Sequence, residues 1–481
     1  MPNTCSRRRE DRSHSLIPRV RAGLGGSHTV VTSIPLDALR PAMDAAAFAQ
    51  QLTPVEDLHL YFHIAFCEHI CGFCHYAKTH AGISDEGDET KSYMHALTAE
   101  IASRRALMEA SQVRSLYVGG GTPTVLPPQA LAQFLSTVSG LRRSASAPFC
   151  VEASPLTLAA PDGREKLQIL KALGVTRVSL GVQSFSRALL ERHRGHGPEL
   201  LHDVFAKLDD AGLEVNIDLM QDLPGQTADD LRTDLSWIAD LRPSQVTWYI
   251  LRFDRGSSWD KLRRVRGLPG VATGSQSIAR RLQLFDAMDR LGYAAHGGGR
   301  FLREACHSDR FKAVRNGLDS TLLGFGVSAY SHGWGHAFRN IHETSARSAA
   351  RAYVARIERG DDPIETRHVL TDADRIAAHR LVAIRTRLPQ ACVAGVDPES
   401  HRIRTLLAVL ADGGIVTLDD GDWRLTRYGR ALEEEVASLF YAPDIRKALA
   451  DAGDYWPANQ PGPWRELLAL SDREVRDAQV A

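Results

Sequence analysis

The sequence predicts an α/β fold, an open (βα)6 partial barrel followed by a smaller helical domain. Strand-like and helix-like segments alternate from residue 57 to about 255. A cysteine triplet and a glycine-rich turn directly follow the first two predicted strands. Because parallel strands joined by helices bring their carboxyl ends to one edge, we expect a ligand site at that edge.

Apolar runs bounded by turn residues predict the six strands Leu58–Ile64, Ser115–Val118, Phe149–Glu152, Arg177–Leu180, Glu214–Leu219 and Gln245–Tyr249. Amphipathic stretches between them predict the helices Tyr93–Met108, Pro128–Val138, Glu165–Leu173, Leu200–Ala211 and Thr227–Leu241. Six strand–helix units are fewer than a closed eightfold barrel needs, so the predicted barrel is open.

The segments outside this core predict three further regions. Residues 1–56 are rich in Arg, Ser and Gly and predict a partly disordered extension with one short helix, Ala45–Leu52. Residues 256–370 are less regular and predict a connecting region that completes the site. Residues 371–481 predict a winged-helix-like domain, with a helix over Arg402–Ala411 and two strands, Ile415–Leu418 and Asp422–Leu425. No basic recognition helix stands out, which favours a structural lid over a DNA reader.

Composition narrows the class of partner. The net charge is zero, which gives no electrostatic reason to bind nucleic acid or a membrane surface. No apolar run approaches the roughly 20 residues that span a bilayer. The four cysteines outside the triplet are scattered singly, as is typical of reduced thiols. We therefore expect a cytoplasmic monomer that acts on a small molecule.

Cys67, Cys71 and Cys74 have the spacing C-x3-C-x2-C on the loop after the first strand. Three thiolates can hold three corners of a [4Fe-4S] cluster and leave the fourth iron open. A zinc site is the alternative, with His63, His69 or His75 as the fourth ligand. A disulfide would need an oxidising compartment.

Polar residues follow the later strands at the same edge. Gly119–Thr122 follows the second strand, and its glycines let the backbone approach a ligand closely. Glu152 ends the third strand, and Gln183 follows the fourth. Asp218 lies within the apolar fifth strand, where a carboxylate is costly unless it is paired.

Six motifs of this sequence occur in the same order as in the oxygen-independent coproporphyrinogen III oxidase-like (HemN-like) family of radical S-adenosylmethionine (SAM) enzymes, so the chain resembles that family. They lie at Tyr61–Cys67, Gly119–Thr124, Leu180–Phe185, Asn216–Leu219, Leu223–Thr227 and Gly324–Ser331. The resemblance covers about residues 55 to 440 and implies a radical SAM partial TIM barrel with a [4Fe-4S] cluster on the three cysteines.

The resemblance also implies roles for other residues. Tyr61, His63, Gln183 and Asp218 are the implied catalytic residues. The residues implied to line the first SAM are Tyr61, Phe73, Gly120, Gly121, Thr122, Glu152, Gln183 and Asp218. Gly326, Val327 and Ser328 resemble part of a pocket for a second SAM.

Three departures from the family pattern bear on the reaction. Tyr76 stands where the decarboxylase usually has a fourth cysteine. The Arg–Gly order at Arg194 and Gly195 reverses the family's usual order, which puts a SAM-binding role for Arg194 in doubt. Residues 309–316 lack the His-Asn-x-x-Tyr-Trp motif of the heme-chaperone relatives.

By elimination, the resemblance predicts the class C methyltransferase and cyclopropanase branch. Such an enzyme uses two SAM molecules to transfer a methyl or methylene group to an sp2 carbon of a natural-product intermediate, as in antibiotic biosynthesis. It implies an electron donor such as flavodoxin or ferredoxin and a methyltransferase-like partner protein. The alternatives are an oxygen-independent coproporphyrinogen III oxidase and a heme-binding chaperone.

Overall fold

A computed structural model gives the fold. It describes residues 48, 51–81, 87–144, 147–251, 253, 257–270, 272, 274–303, 314, 317–342 and 346–451. The predicted N-terminal extension before residue 48 lies outside the described residues, as does most of the predicted helix Ala45–Leu52. The predicted domain boundaries stay predictions.

Seventeen strands are present in the described residues. They are β1 (Leu58–Ile64), β2 (Phe66–Cys67), β3 (Thr79–His80), β4 (Val113–Gly120), β5 (Phe149–Ala153), β6 (Arg177–Gln183), β7 (Glu214–Gln221), β8 (Gln245–Ile250), β9 (Ala294–Ala295), β10 (Arg300–Leu302), β11 (Thr321–Phe325), β12 (Tyr330–Gly333), β13 (His336–Asn340), β14 (Ile364–Val369), β15 (Leu388–Pro389), β16 (Val416–Asp419) and β17 (Asp422–Leu425).

The principal sheet has 12 strands in the order β14-β13-β12-β11-β1-β4-β5-β6-β7-β8-β10-β9. The six predicted strands are β1 and β4 to β8, and they pair in parallel as expected. The predicted partial barrel is therefore confirmed. The sheet is also larger than predicted, because β11 pairs in parallel with the other side of β1 and β12 to β14 extend it antiparallel.

Sixteen α-helices are present in the described residues. They are α1 (Gly87–Ser103), α2 (Arg105–Ala110), α3 (Pro128–Ser139), α4 (Pro155–Ala159), α5 (Gly163–Ala172), α6 (Arg187–Arg194), α7 (Glu199–Ala211), α8 (Ala228–Leu241), α9 (Ser258–Arg266), α10 (Gly274–Arg290), α11 (Ala346–Glu358), α12 (Asp372–Ala383), α13 (Pro398–Asp412), α14 (Arg427–Ala431), α15 (Glu433–Ser438) and α16 (Pro443–Asp451). The predicted helix Tyr93–Met108 is two helices, since the chain leaves helical geometry at Arg104, whose guanidinium pairs with Asp362.

The alternation of β1 explains how one strand serves both the core and the site. Leu58, Leu60 and Phe62 are fully buried in the main hydrophobic core. The side chains of the intervening residues point to the opposite face of the sheet, since successive side chains of a strand alternate between its two faces. His59, Tyr61 and His63 therefore face the interior of the barrel. This polar row leads to the cysteine loop at the end of the strand.

The C-terminal helices form a second hydrophobic cluster with α10, through residues such as Ile278, Leu381 and Leu406. Beside them lies a three-stranded sheet in the order β15-β17-β16. The predicted hairpin is β16 and β17, and the third strand, β15, was not predicted because it has only two residues. Among the described residues, no helix is long and apolar enough to cross a membrane.

Candidate cofactor site

The cysteine loop is anchored at both ends by a short parallel pairing. Cys67 lies in β2, which pairs with β3 on the far side of the loop. The amide of Thr79 donates to Ala65 O at 2.7 Å, and that of Ala81 donates to Cys67 O at 2.8 Å. Cys71 and Cys74 lie on the loop between these strands, as predicted. The three thiols therefore belong to one compact loop at the carboxyl end of β1.

Burial sets the chemistry of these thiols. It raises the pKa of Cys67 to about 12, and it also raises the pKa of Cys74. A bound metal replaces the proton on such a thiol, because a cation next to sulfur favours the thiolate. In the described residues, no three His, Cys, Asp or Glu side chains converge as closely as one metal ion requires. A cubane uses all three cysteines, because each cysteine binds a different iron.

Arg194, whose role the sequence left in doubt, lies against the cysteine loop. Its Nη1 donates to Cys71 Sγ at 2.7 Å, and its Nη2 donates to Gly181 O at 3.1 Å. The preceding helix residue, His193, contacts the loop as well, since its carbonyl oxygen lies 3.0 Å from His69 Nε2. The end of α6 therefore holds the loop at two points.

Tyr61 and His63 form a hydrogen-bonded pair just before the cysteines. The hydroxyl of Tyr61 lies 2.9 Å from His63 Nδ1, and His63 Nε2 lies 2.7 Å from Ala77 O. Because a carbonyl only accepts, Nε2 carries the proton and Nδ1 accepts from the tyrosine. Burial lowers the pKa of His63 to about 4, so its ring is neutral. The pair thus presents an oriented hydroxyl without a cation.

The glycine-rich segment at the end of β4 packs on this pair without room for side chains. A Cβ on Gly120, where φ is +100°, would lie 2.4 Å from the His63 ring, and one on Gly119 would lie 2.5 Å from the Glu152 carboxyl carbon. Glu152 accepts from Gly120 N at 3.0 Å and from the Tyr117 hydroxyl at 2.7 Å. Glycine is therefore required here because His63 and Glu152 leave no room for a side chain. The predicted approach of this backbone to a ligand stays a prediction.

Gln183 and Asp218 lie on neighbouring strands at the same edge. Gln183 has φ +68° at a register shift between β6 and β7. Its side-chain oxygen is buried and has no hydrogen-bond donor within the described ranges. Asp218 accepts from Ser179 Oγ and Asn216 Nδ2, each at 2.9 Å. The unused acceptor of Gln183 suits a ligand that carries an amine, as SAM does.

Phe73 packs on a helix that sequence reasoning did not assign to the site. Its ring lies edge to face with Trp259 of α9, with centroids 5.7 Å apart. The amide of Trp259 donates to Gly72 O at 2.9 Å. A Cβ on Gly72 would lie 2.1 Å from the indole nitrogen. No sequence signal near the triplet pointed to this tryptophan. The predicted contact of Phe73 with adenine stays a prediction.

Gly326, Val327 and Ser328 follow β11 on the other side of β1. The amide of Gly326 donates to Glu100 Oε2 at 2.8 Å, and that of Val327 donates to the Tyr93 hydroxyl at 3.1 Å. Ser328 has φ +58°, and its hydroxyl lies 2.9 Å from His342 Nδ1. Their predicted role at a second SAM stays a prediction, and the two amides already have protein partners.

Comparisons with known proteins agree on the class of cofactor. The radical SAM superfamily profile matches residues 61–238. The heme chaperone HemW of Lactococcus lactis is 33% identical over 48% of this chain and 59% of its own length. HemW of Bacillus subtilis is 25% identical over 79% of this chain and 98% of its own length.

Two coproporphyrinogen oxidases are similar over still more of the chain. The oxygen-independent coproporphyrinogen III oxidase of Bradyrhizobium diazoefficiens is 26% identical over 84% of this chain and 91% of its own length. The solved structure of coproporphyrinogen III oxidase (HemN) from Escherichia coli superposes with a TM-score of 0.71 at 25% identity, covering 85% of this chain and 96% of that one.

These relatives overturn one expectation. The predicted natural-product methyltransferase or cyclopropanase is wrong, because the proteins similar along most of the chain are named heme chaperones and coproporphyrinogen oxidases. That prediction was reached by elimination, from Tyr76 and the missing heme motif. The predicted electron donor and partner protein stay predictions.

The family predicted from the six motifs agrees with the fold, the cysteine loop and these comparisons. The cofactors are a [4Fe-4S] cluster and SAM. Cys67, Cys71 and Cys74 are the residues that fit the cluster. The chain is similar to the radical SAM proteins of the HemN-like family, which includes the coproporphyrinogen oxidases and HemW.

Proposed function

We propose that the protein is an oxygen-independent coproporphyrinogen III oxidase, which oxidatively decarboxylates propionate side chains of a porphyrinogen. The similarity to the Escherichia coli oxidase carries the proposal, because it extends over 85% of this chain and 96% of that one. It therefore includes the regions after residue 238, where the superfamily profile ends.

The departure at Tyr76 does not count against this function. Its side chain is 39% exposed and stacks on His75, with ring centroids 4.6 Å apart. A cubane with one open iron needs only three cysteines. Tyr76 is thus partly exposed, and in this proposal the three cysteines suffice for the cluster.

The carboxyl ends of the parallel strands form the mouth of the barrel. The residues at this mouth have complementary roles in the proposal. Cys67, Cys71 and Cys74 hold the cluster, while Gln183 and Asp218 orient SAM. When bound, the cluster and SAM supply the one-electron chemistry that removes a hydrogen atom from a C–H bond. The neutral His63 orients the Tyr61 hydroxyl toward the interior of the barrel, and it adds no charge there. The protein thus contributes orientation and exclusion of water.

A heme chaperone is the second candidate. The observation that favours it is the similarity to HemW of Bacillus subtilis, which covers 98% of that protein. Residues 309–316, which lack the chaperone motif, lie almost entirely outside the described residues. Activity on a porphyrinogen and stoichiometric binding of heme are the properties that separate the two functions.

The test uses anaerobically reconstituted protein with SAM, a low-potential reductant and coproporphyrinogen III. We expect 5′-deoxyadenosine, CO2 and protoporphyrinogen IX by liquid chromatography and mass spectrometry. Replacing Cys67, Cys71 and Cys74 together with Ala is expected to abolish cluster iron and turnover. Cys392→Ala is the matched control, because that cysteine lies far along the chain, in the C-terminal domain, and it is expected to retain both. Tight 1:1 heme binding without porphyrinogen turnover would instead establish the chaperone.

A further inference from the structure

The guanidinium of Arg194 is buried against a cysteine that binds the cluster. Arg194 is 6% exposed, and its Nη1 donates to Cys71 Sγ at 2.7 Å. A second bond, from Nη2 to Gly181 O at 3.1 Å, fixes the plane of the group against the end of β6. We propose that Arg194 is a positioning residue that donates a hydrogen bond to the Cys71 thiolate and raises the reduction potential of the cluster.

The local sequence explains why the arginine reaches the loop. Arg194 is the last residue of α6, and Gly195 ends the helix in the left-handed conformation with φ +74°. Only a residue without Cβ adopts that conformation at little cost. The helix therefore ends at Arg194, and the side chain of this arginine contacts Cys71. The carbonyl oxygen of His193 accepts a hydrogen bond from His69 Nε2 at 3.0 Å. The Arg–Gly order thus places the arginine at the last helical position and the glycine at the position with positive φ.

Physical chemistry gives the direction of the effect. A hydrogen bond from a charged donor stabilises negative charge on sulfur, and reduction adds one electron to the cluster and its thiolates. The reduced cluster gains more from Arg194 than the oxidised cluster does, so the potential rises. Lys78 is a second cation beside the loop. Its Nζ donates to the backbone oxygen of Cys74 at 3.0 Å, and its charge and side-chain hydrogen bond also favour the Cys74 thiolate.

Arg194 also retains a donor that no described residue uses. Its Nε is buried and has no hydrogen-bond acceptor among the described residues. A guanidinium that served SAM alone, through a carboxylate, would leave the potential of the SAM-free cluster unchanged on substitution. A measurement without SAM therefore separates the two roles.

The test is a redox titration of the reconstituted protein without SAM, followed by electron paramagnetic resonance of the reduced cluster. We expect Arg194→Gln to have a more negative midpoint potential than the wild type at equal iron content. Arg194→Lys, which keeps the charge, is expected to recover part of the difference. Arg192→Gln is the matched control, since Arg192 is on the same helix and contacts Pro224 O instead. We expect it to leave the potential unchanged.

An unchanged potential in Arg194→Gln, with or without weaker SAM binding, overturns the proposal. If Arg194→Gln fails to bind a cluster, a second measurement on the wild-type protein tests the proposal. Protein labelled with 15N-arginine is expected to show nitrogen hyperfine coupling to the reduced cluster, and its absence overturns the proposal. The inference rests on the cluster and not on the substrate, so failure of the coproporphyrinogen assay leaves it standing.

Discussion

Two glycine-containing loops flank the cysteine loop and differ in where their amides find partners. β1 lies between β4 and β11. Gly119–Thr122 begins in the last two residues of β4, and Gly326–Ser328 directly follows β11. In the first loop, the amide of Gly120 donates to Glu152, which is partly exposed at the mouth. In the second, the amide of Gly326 donates to Glu100, which is 2% exposed.

This difference shows that glycine after a parallel strand indicates close approach but does not reveal what approaches. Glu100 also accepts from Asn340 Nδ2 at 2.9 Å and from the Tyr353 hydroxyl at 2.6 Å. The loop after β11 is therefore attached to the hydrophobic core through α1. The loop after β4 instead belongs to the mouth, where a ligand can reach Glu152.

The largest expected effect is on stability and distinguishes the two carboxylates. Glu100→Ala removes the acceptor shared by three buried donors, of which Asn340 Nδ2 keeps Gly326 O as a partner. We expect a loss of about 3 kcal/mol or more in the free energy of unfolding. Glu152→Ala is the matched substitution at the partly exposed mouth, where we expect a loss below about 1 kcal/mol. Urea unfolding of both variants measures the difference. Equal losses would contradict the distinction between the loops.

The pH dependence of stability gives the second prediction. Burial raises the pKa of Glu100 from 4.5 to about 7 in the folded protein. Between these values the folded state keeps a proton that the unfolded state has lost. Stability due to Glu100 is therefore full below pH 4.5 and falls by roughly 1.4 kcal/mol per pH unit up to about pH 7.

Urea unfolding of the wild type and of Glu100→Gln from pH 5 to 8 checks this dependence. The glutamine has no proton to lose in this range. The stability difference between the two proteins should therefore change with pH in favour of the variant as the pH rises to 7, and then level off. Parallel curves would mean that Glu100 is ionised throughout.

The smallest expected effect concerns ligand binding at the mouth. Asp218→Asn keeps the size of the side chain next to Ser179 and Asn216, so we expect little change in melting temperature. We expect SAM binding to weaken about tenfold, equivalent to roughly 1.4 kcal/mol. Equilibrium dialysis with the reconstituted protein measures it. Normal affinity combined with a large loss of stability would show that Asp218 is a structural carboxylate.

The barrel was largely predictable because its signals are local. The predicted bounds of β1 match the structure, and those of Ser115–Val118 lie within β4. β11 was missed as a member of the sheet because Gly324 interrupts its apolar run and its partner β1 lies far away in sequence. The pairing of a strand with so distant a partner leaves no periodic signal in either segment.

The site was predictable to a similar extent and for the same reason. The cysteine spacing predicts Cys67, Cys71 and Cys74 as the cluster ligands, since all three lie on one loop. The contact between Arg194 and Cys71 joins elements 123 residues apart, so spacing carried no information about it. Glu100 is likewise hidden in an amphipathic helix, where a carboxylate usually faces solvent.

The packing of Trp259 on Gly72 has a consequence for when the cofactor can be inserted during synthesis of the chain. The ribosome releases the cysteine loop long before the helix that supports it, α9. Until that helix is synthesised, Gly72 lacks the indole that covers it and the amide that its carbonyl accepts. The three thiols then lie on a loop that lacks this support. Insertion of the iron–sulfur cluster is therefore expected to follow synthesis of the chain beyond residue 259.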